Sequence, residues 1–195
     1  MTRAVGWAAA RCVGFRQALC RFLLGVAPSS KAATIWLQRF ETEAGITDIE
    51  IEVEDEYQII IEAKRGWELP SRKQLATYAS RMKWRHFRWR VLVALTDASP
   101  EYAKLHFNHS PLHGIPVVHM SWSDLLAIAS RTEEAARGEE RIVMSELTTY
   151  LDEKVTLQDV YSNMVWIAPL RDATQRGGTS RGLMLFAQSC VIFIQ

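Results

Sequence analysis

Apolar and polar positions recur with two different periods along the chain, and the changes of period mark the predicted elements. Between residues 31 and 44, apolar side chains recur every three or four positions, which predicts a helix that ends at Gly45. From residue 48 to residue 54, apolar and acidic residues alternate one by one, which is typical of a half-buried strand. After a short reversal, the segment YQIIIEAK (57–64) predicts a returning strand whose consecutive isoleucines are buried on both faces.

The rest of the chain continues to alternate between helices and strands. Helices are predicted at 69–84, after Pro100, from Ser123 to about 135 and at 141–154, and strands are predicted at 88–96, 114–122 and 163–170. The order α-β-β-α-β-α-β from residue 31 onward predicts an α/β fold. We expect a compact core with a mixed central sheet of about four strands, flanked by helices.

The two ends of the chain are assigned separately from this core. We expect residues 1–30 to form a basic and apolar helical extension, residues 31–135 the core, and residues 136–195 a C-terminal extension. A helix packed on the domain is preferred for the first segment, although its arginines also resemble an organelle transit peptide. No stretch is apolar enough to span a membrane, so no membrane partner is expected. The apolar final residues are compatible with a buried strand or with a truncated domain.

Composition indicates a soluble globular protein, and its charges are distributed unevenly. Apolar residues make up 48% of the chain and charged residues 23%, which is ordinary for such a protein. The formal net charge is +1, but no acidic residue precedes Glu41, and Glu68 is the sole carboxylate between residues 64 and 90. This asymmetry predicts a surface that binds a polyanion. The cysteines and histidines fit no zinc, iron–sulfur or HExxH spacing, which favours reduced thiols and a cytoplasmic location.

Two carboxylates and a lysine are expected to converge at one end of the predicted hairpin. Glu62 and Lys64 are two residues apart on the second strand and therefore project to the same face. The short reversal places Asp48, at the start of the first strand, opposite this pair. Alternating Glu and Lys usually marks a solvated strand face, but this triplet follows buried isoleucines, where unpaired charge is costly. Two carboxylates suit a hard cation such as Mg²⁺, and a lysine beside them can stabilise charge that develops when water attacks.

The segment GITDIEIEVEDEYQIIIEAKRG resembles the core of the PD-(D/E)XK nuclease superfamily, in which an acid, a hairpin and an acid–x–lysine triplet follow one another. The resemblance implies that Asp48 and Glu62 bind Mg²⁺, for which Mn²⁺ can substitute, with the Ala63 carbonyl as a further metal ligand. It also implies that Lys64 serves the attacking water. The resemblance covers about residues 31–120, and it implies that this core is restriction-endonuclease-like.

Members of this superfamily often carry a glutamate on the preceding helix, and the resemblance assigns this position to Glu43 in preference to Glu41. The RecB-like branch also has a Gln-x-x-x-Tyr motif on the helix after the triplet, which Gln74 and Tyr78 match on one helical face. The resemblance implies that this pair contacts the site and a nucleic-acid strand. Thr47 stands where many members have proline, and the sequence lacks the cysteine cluster of the iron–sulfur members.

Cations and aromatic residues follow the triplet, where they could contact phosphates and stack on bases. The candidates for nucleic-acid binding are Arg65, Trp67, Arg72, Lys73 and Arg81. The predicted function is a metal-dependent nuclease that hydrolyses phosphodiester bonds, of DNA in preference to RNA, through a Mg²⁺-activated water. The alternative is a catalytically inactive module of the same fold that binds nucleic acid or a partner protein. A homodimer or a larger defence or repair complex stays open for either function.

Overall fold

The computed structural model describes residues 1–27, 31–41, 45–107 and 111–155, which form a sheet flanked by helices. The helices are α1 (Thr2–Arg11), α2 (Val13–Leu24), α3 (Arg72–Lys83), α4 (Pro100–His106), α5 (Trp122–Ala135) and α6 (residues 138–155). The strands are β1 (Thr34–Glu41), β2 (Gly45–Val53), β3 (Tyr57–Ala63), β4 (Trp89–Thr96) and β5 (Val117–Ser121).

These strands form one mixed sheet of five strands in the order β1-β2-β3-β4-β5. β1, β2 and β3 run antiparallel to one another in turn, whereas β4 lies parallel to β3 and β5 lies parallel to β4. The carboxyl ends of β3, β4 and β5 therefore meet at the same end of the sheet, which is where α/β proteins commonly bind ligands. The predicted α/β fold with a mixed sheet and flanking helices is confirmed.

The sheet has one strand more than expected, because β1 replaces a predicted helix. The apolar spacing of residues 31–44 fits a helical face, but β1 pairs antiparallel with β2, and this pairing joins Ile35 to Ile51. β-Branched and aromatic side chains at 34–36 favour the extended form, and pairing with β2 outweighs the local spacing. The prediction of a helix here is wrong. Glu43, which we expected on that helix, lies outside the described residues.

Two hydrophobic clusters cover the two faces of the sheet. On one face, α1, α2, α5 and α6 bury apolar side chains against Ile59 and Ile61 of β3. On the other face, α3 packs Leu75 and Met82 against Ile60. Burial of β3 on both faces is confirmed, and each fully buried side chain of this size contributes about 1.5–3 kcal/mol to stability. β3 is therefore a firm support for the charged residues at its carboxyl end.

Residues Met1–Val155 form one compact unit. α1 and α2 pack on the sheet, and α6 adds Met144 and Leu147 to the same cluster. The helices on both sides of 31–135 thus contribute side chains to the core between them. The predicted strand at 163–170 lies outside the described residues. Within the described ranges, no helix is long and apolar enough to cross a membrane.

Candidate active site

Asp48 lies where the ladder between β2 and β3 ends. Backbone pairing of the two strands extends as far as Ile49 and Ile61. Just beyond this pair, Oδ2 of Asp48 accepts a hydrogen bond from the backbone N–H of Ala63 over 2.8 Å. Ala63 stands between Glu62 and Lys64, so Asp48 is held opposite the centre of the triplet, where hairpin geometry predicts it.

Glu62 is the buried centre of the site, with only 4% of its surface exposed. Its Oε1 accepts a hydrogen bond of 2.8 Å from the side-chain amide of Gln74 and lies 3.1 Å from Nζ of Lys64. Its Oε2 lies 3.2 Å from the hydroxyl of Tyr78. The structure thus brings Glu62, Lys64, Gln74 and Tyr78 into one hydrogen-bonded network.

α3 supplies Gln74 and Tyr78 from a single face of the helix. Ser71 caps the helix, since its hydroxyl accepts from the backbone N–H of Gln74 over 3.2 Å. Four residues later, the Tyr78 hydroxyl lies 3.1 Å from the Gln74 amide and 2.6 Å from the carbonyl oxygen of Ile46. The hydroxyl has one proton to donate, so the Ile46 carbonyl and Glu62 compete for it. This pair therefore connects α3 to both strands of the hairpin.

Lys64 is held by its backbone, which leaves its side chain to reach the site. Its N–H donates to the carbonyl of Leu95 on β4 over 2.8 Å, and its carbonyl accepts from the indole N–H of Trp122 on α5 over 3.1 Å. The side chain is 27% exposed while Nζ stays beside Glu62. The ammonium group therefore lies at the boundary between the buried carboxylate and solvent.

Burial and the neighbouring charged groups shift the pKa values of Glu62 and Tyr78. Burial raises the pKa of Glu62 above its ordinary value, the negative charge of Asp48 raises it further, and Lys64 and Tyr78 oppose the shift. Burial, reinforced by the neighbouring Glu62, raises the pKa of Tyr78 to about 12, so its hydroxyl stays protonated at neutral pH. A bound cation would stabilise the ionised form of Glu62, which burial and Asp48 disfavour.

The oxygen atoms near the triplet suit a magnesium ion. Asp48 and Glu62 offer carboxylates, and the Ala63 carbonyl directly follows Glu62 in the chain. A Mg²⁺ ion commonly binds one or two carboxylates and keeps several waters. Within the described part of the chain, no group of three or more His, Cys, Asp or Glu side chains is placed to hold a metal. Two carboxylates and a backbone carbonyl are oxygen donors of the kind that a hydrated Mg²⁺ binds.

Four of the predicted nucleic-acid contacts lie on the surface near the site. Arg72 and Lys73 are exposed in the first turn of α3, directly before Gln74. Arg65 and Trp67 are exposed in the segment that follows Lys64. Arg65 also places its guanidinium 3.5 Å from the Asp97 carboxylate.

Arg81 does not fit the predicted role, because its side chain is only 4% exposed. It pairs with Glu41 over 2.9 Å and with the fully buried Glu50. Burial lowers the pKa of Arg81 to about 10, which keeps it charged at neutral pH. We call this group the carboxylate–arginine cluster; its members are Arg39, Arg81, Arg85, Glu41, Glu50 and Glu52. The sequence does contain a sign of this burial, since Arg81 is three residues after Tyr78 on the face of α3 that meets the sheet.

Asp97 is a residue of the site region that is not among the residues predicted from the sequence. Its Oδ2 accepts from the backbone N–H of Gly66 over 2.6 Å. Asp97 directly follows β4, and β4 is the parallel neighbour of β3, so both chain segments leave the sheet at the same end. The parallel pairing of β3 and β4 brings Asp97 to the segment after Lys64, and no local pattern in the sequence predicts this pairing.

Comparison with known proteins gives one likeness in structure. No protein-family model matches the chain, and no curated protein matches it. The chain is similar to a solved structure of the MspJI restriction endonuclease in complex with a 27-mer oligonucleotide, with a TM-score of 0.35 and 18% sequence identity. The similarity covers 80% of this chain and 31% of that protein. The fold class stated above rests on the strands and helices themselves.

Proposed function

We propose that this protein is a Mg²⁺-dependent nuclease of the PD-(D/E)XK kind that hydrolyses phosphodiester bonds in DNA. The observation that carries the proposal is the network around Glu62, in which Lys64, Gln74 and Tyr78 all approach one buried carboxylate. Asp48 is tied to the same triplet through Ala63. A structural ion pair alone would not require a second, half-buried carboxylate near the buried Glu62, since Asp48 makes the ionisation of Glu62 more costly.

Each residue of the network has a task in the proposed reaction. Asp48, Glu62 and the Ala63 carbonyl would hold the metal, which when bound neutralises a phosphate and activates water. Lys64 places a positive charge at the boundary with solvent, where charge develops on the phosphate or on the attacking water. Gln74 and Tyr78 hold the Glu62 carboxylate in place. We therefore treat this pair as positioning residues, in keeping with the RecB-like branch.

The surface around the network suits a DNA backbone. Arg72 and Lys73 stand in the first turn of α3, where the helix dipole adds partial positive charge. Arg65 follows the triplet directly. Cations in these positions would bind the phosphates on either side of the bond that is cut, without reading the bases.

A second candidate function is that of a catalytically inactive binding module, and one observation favours it. The described residues contain two carboxylates at the site and no third metal-binding side chain beside them. A catalytically inactive module with this fold would use the same cationic surface to bind nucleic acid or a partner protein. It would retain DNA binding and lack a metal site.

Calorimetric titration with Mn²⁺, combined with a DNA nicking assay, separates the two functions. The nuclease predicts heat of binding that is lost in Asp48→Asn, together with nicking that requires Mg²⁺ or Mn²⁺. The exposed Glu146 on α6 offers a matched control, because Glu146→Gln removes a carboxylate far along the chain from the site. Absence of both heat and nicking in the unmodified protein would favour the inactive module.

A further inference from the structure

Three aromatic rings stand in a row next to the candidate active site. The rings of Trp67 and Tyr102 meet edge to face, with centroids 5.2 Å apart and planes at 83°. Tyr102 stacks on His106 with centroids 4.0 Å apart and planes at 28°. We call Trp67, Tyr102 and His106 the aromatic platform. Of the three, Trp67 alone is among the nucleic-acid contacts predicted from the sequence.

The platform is held in a defined geometry before any ligand binds. Tyr102 and His106 are four residues apart on α4 and therefore lie on one helical face. The Nδ1 atom of His106 lies 2.9 Å from the carbonyl oxygen of Tyr102, which orients the imidazole. At the start of α4, the Ser99 hydroxyl accepts from the backbone N–H of Tyr102 over 3.2 Å. Rings fixed in this way lose little conformational freedom when a further ring stacks on them.

The platform remains open to solvent, which a purely structural aromatic cluster would avoid. Trp67 is 39% exposed, and His106 is exposed as well. Their neighbour Leu105 is 83% exposed, so the end of α4 presents apolar surface to water. An aromatic surface of this kind suits a flat ligand with two apolar faces.

The platform residues lie on the chain segments that follow β3 and β4, and these parallel strands end at the same end of the sheet as the catalytic network. Trp67 follows Lys64 by three residues, which limits the distance between their Cα atoms to about 11 Å. Tyr102 follows the end of β4, and Asp97 ties that end to Gly66. A stacked nucleic-acid strand advances about 3.4 Å per nucleotide, so this limit corresponds to at most about three stacked nucleotides between Lys64 and the platform.

The charges around the platform suit the phosphate backbone of a nucleic-acid strand whose base lies on the rings. The exposed cations in the segments that carry or adjoin the platform residues are Arg65, which pairs with Asp97, and Arg72, Lys73 and Lys104. The exposed carboxylates nearby are Glu68 and Glu101. The balance is cationic and the rings lie within it, which is the combination found in surfaces that bind single strands.

We infer that the aromatic platform stacks an unpaired base of the substrate within about three nucleotides of the bond that is cut. The inference rests on the proposed nuclease function and specifies its substrate class. In a continuous duplex both faces of a base are covered by its neighbours, so stacking on the platform requires a single strand, a frayed end or an extruded base. The substrate is therefore DNA with an unpaired base at this position.

The test measures binding without cleavage, in the presence of EDTA, with the full chain. A single-stranded oligonucleotide containing 2-aminopurine is compared with the same sequence as a duplex. We expect tighter binding of the single strand and quenching of 2-aminopurine fluorescence on stacking. Tyr102→Ala and Trp67→Ala should weaken single-strand binding by about 5- to 150-fold, the range measured for loss of one stacked base. Trp67→Phe should restore most of the affinity, because it keeps an aromatic face.

Controls distinguish the platform from a general loss of structure. Trp7 on α1 is an equally exposed tryptophan at 43%, and Trp7→Ala should leave binding unchanged. Equal affinity for single strand and duplex, with no quenching in the unmodified protein, would overturn the inference whatever the variants do. If Glu62-dependent cleavage occurs but the platform variants bind normally, the platform is wrong and the nuclease stands. If the variants lose single-strand binding but nothing is cleaved, the nuclease is wrong and the platform stands as a binding surface.

Discussion

The side-chain amide of Gln74 donates a 2.8 Å hydrogen bond to Oε1 of Glu62. This bond crosses from α3 to β3 and fixes a carboxylate that is almost fully buried. A carboxylate that must bind a metal benefits from such support, since its orientation decides the coordination geometry. The relationship makes Gln74 a positioning residue whose effect can be measured apart from that of the carboxylate.

Gln74→Ala should reduce metal affinity or cleavage by about 10- to 100-fold, as is usual when a group that orients a metal ligand is removed. A full loss is not expected, because Lys64 and Tyr78 still contact Glu62. The measurement is the dependence of the cleavage rate on Mg²⁺ concentration. A change in half-saturation by Mg²⁺ supports positioning, whereas an unchanged Mg²⁺ dependence and rate would contradict it.

The stability of the protein should depend on pH through Glu62. Burial and Asp48 raise its pKa in the folded state, so the folded state binds a proton more tightly than the unfolded state. The stabilising effect is complete below the ordinary carboxyl value of 4.5 and is lost as the pH rises through the raised pKa. Glu62→Gln should remove this part of the pH dependence and be the more stable form at neutral pH. Denaturant unfolding across this range tests it, and identical pH profiles of the two proteins would count against the raised pKa.

Divalent cations should offset the stability that the unmodified protein loses when Glu62 ionises. Mg²⁺ or Mn²⁺ binds ionised carboxylates, and a ligand that binds the folded state alone raises its stability. We expect a higher unfolding temperature in Mn²⁺ at neutral pH, and a smaller increase in Asp48→Asn. The same unfolding temperature with and without Mn²⁺ would argue against a metal site at Asp48 and Glu62.

Arg81→Ala should destabilise the protein by up to about 3–5 kcal/mol, because it removes one of two arginines that pair with a buried carboxylate. That carboxylate is the fully buried Glu50, whose other arginine partner in the carboxylate–arginine cluster is Arg39. The exposed Arg72 provides a matched control, and Arg72→Ala should change stability by less than about 0.5 kcal/mol. Urea unfolding measures both changes. Equal stability of the two variants would show that Arg81 has no structural role.

Sequence reasoning succeeds for the hairpin and α3 because their signals are local. Alternation along β2 correctly predicts burial of Ile49, Ile51 and Val53, although it does not predict that Glu50 is buried as well. The short reversal then sets Asp48 opposite the triplet that contains Glu62 and Lys64. The spacing of Gln74 and Tyr78 likewise places both on one helical face. The site could be assembled because each of its parts depends on a few neighbouring residues.

Sequence reasoning fails where the outcome depends on distant pairing. The apolar spacing of 31–44 suits a helix, and only the partner strand β2 makes Thr34–Glu41 a strand. Arg81 looks like a phosphate contact until Glu50 is found beside it. Asp97 and the aromatic platform depend on β4 lying parallel to β3, which no local pattern reveals.

Cleavage of DNA by the unmodified protein and by Lys64→Ala in Mg²⁺ tests the central claim most directly. We predict cleavage that EDTA abolishes and that Lys64→Ala reduces by at least about 100-fold, because the variant lacks the charge that stabilises the transition state. Thermal unfolding should show that the variant remains folded, and Glu146→Gln should cleave at the unmodified rate. Cleavage by Lys64→Ala at the unmodified rate, or no cleavage by the unmodified protein in either Mg²⁺ or Mn²⁺, would contradict the proposed nuclease site.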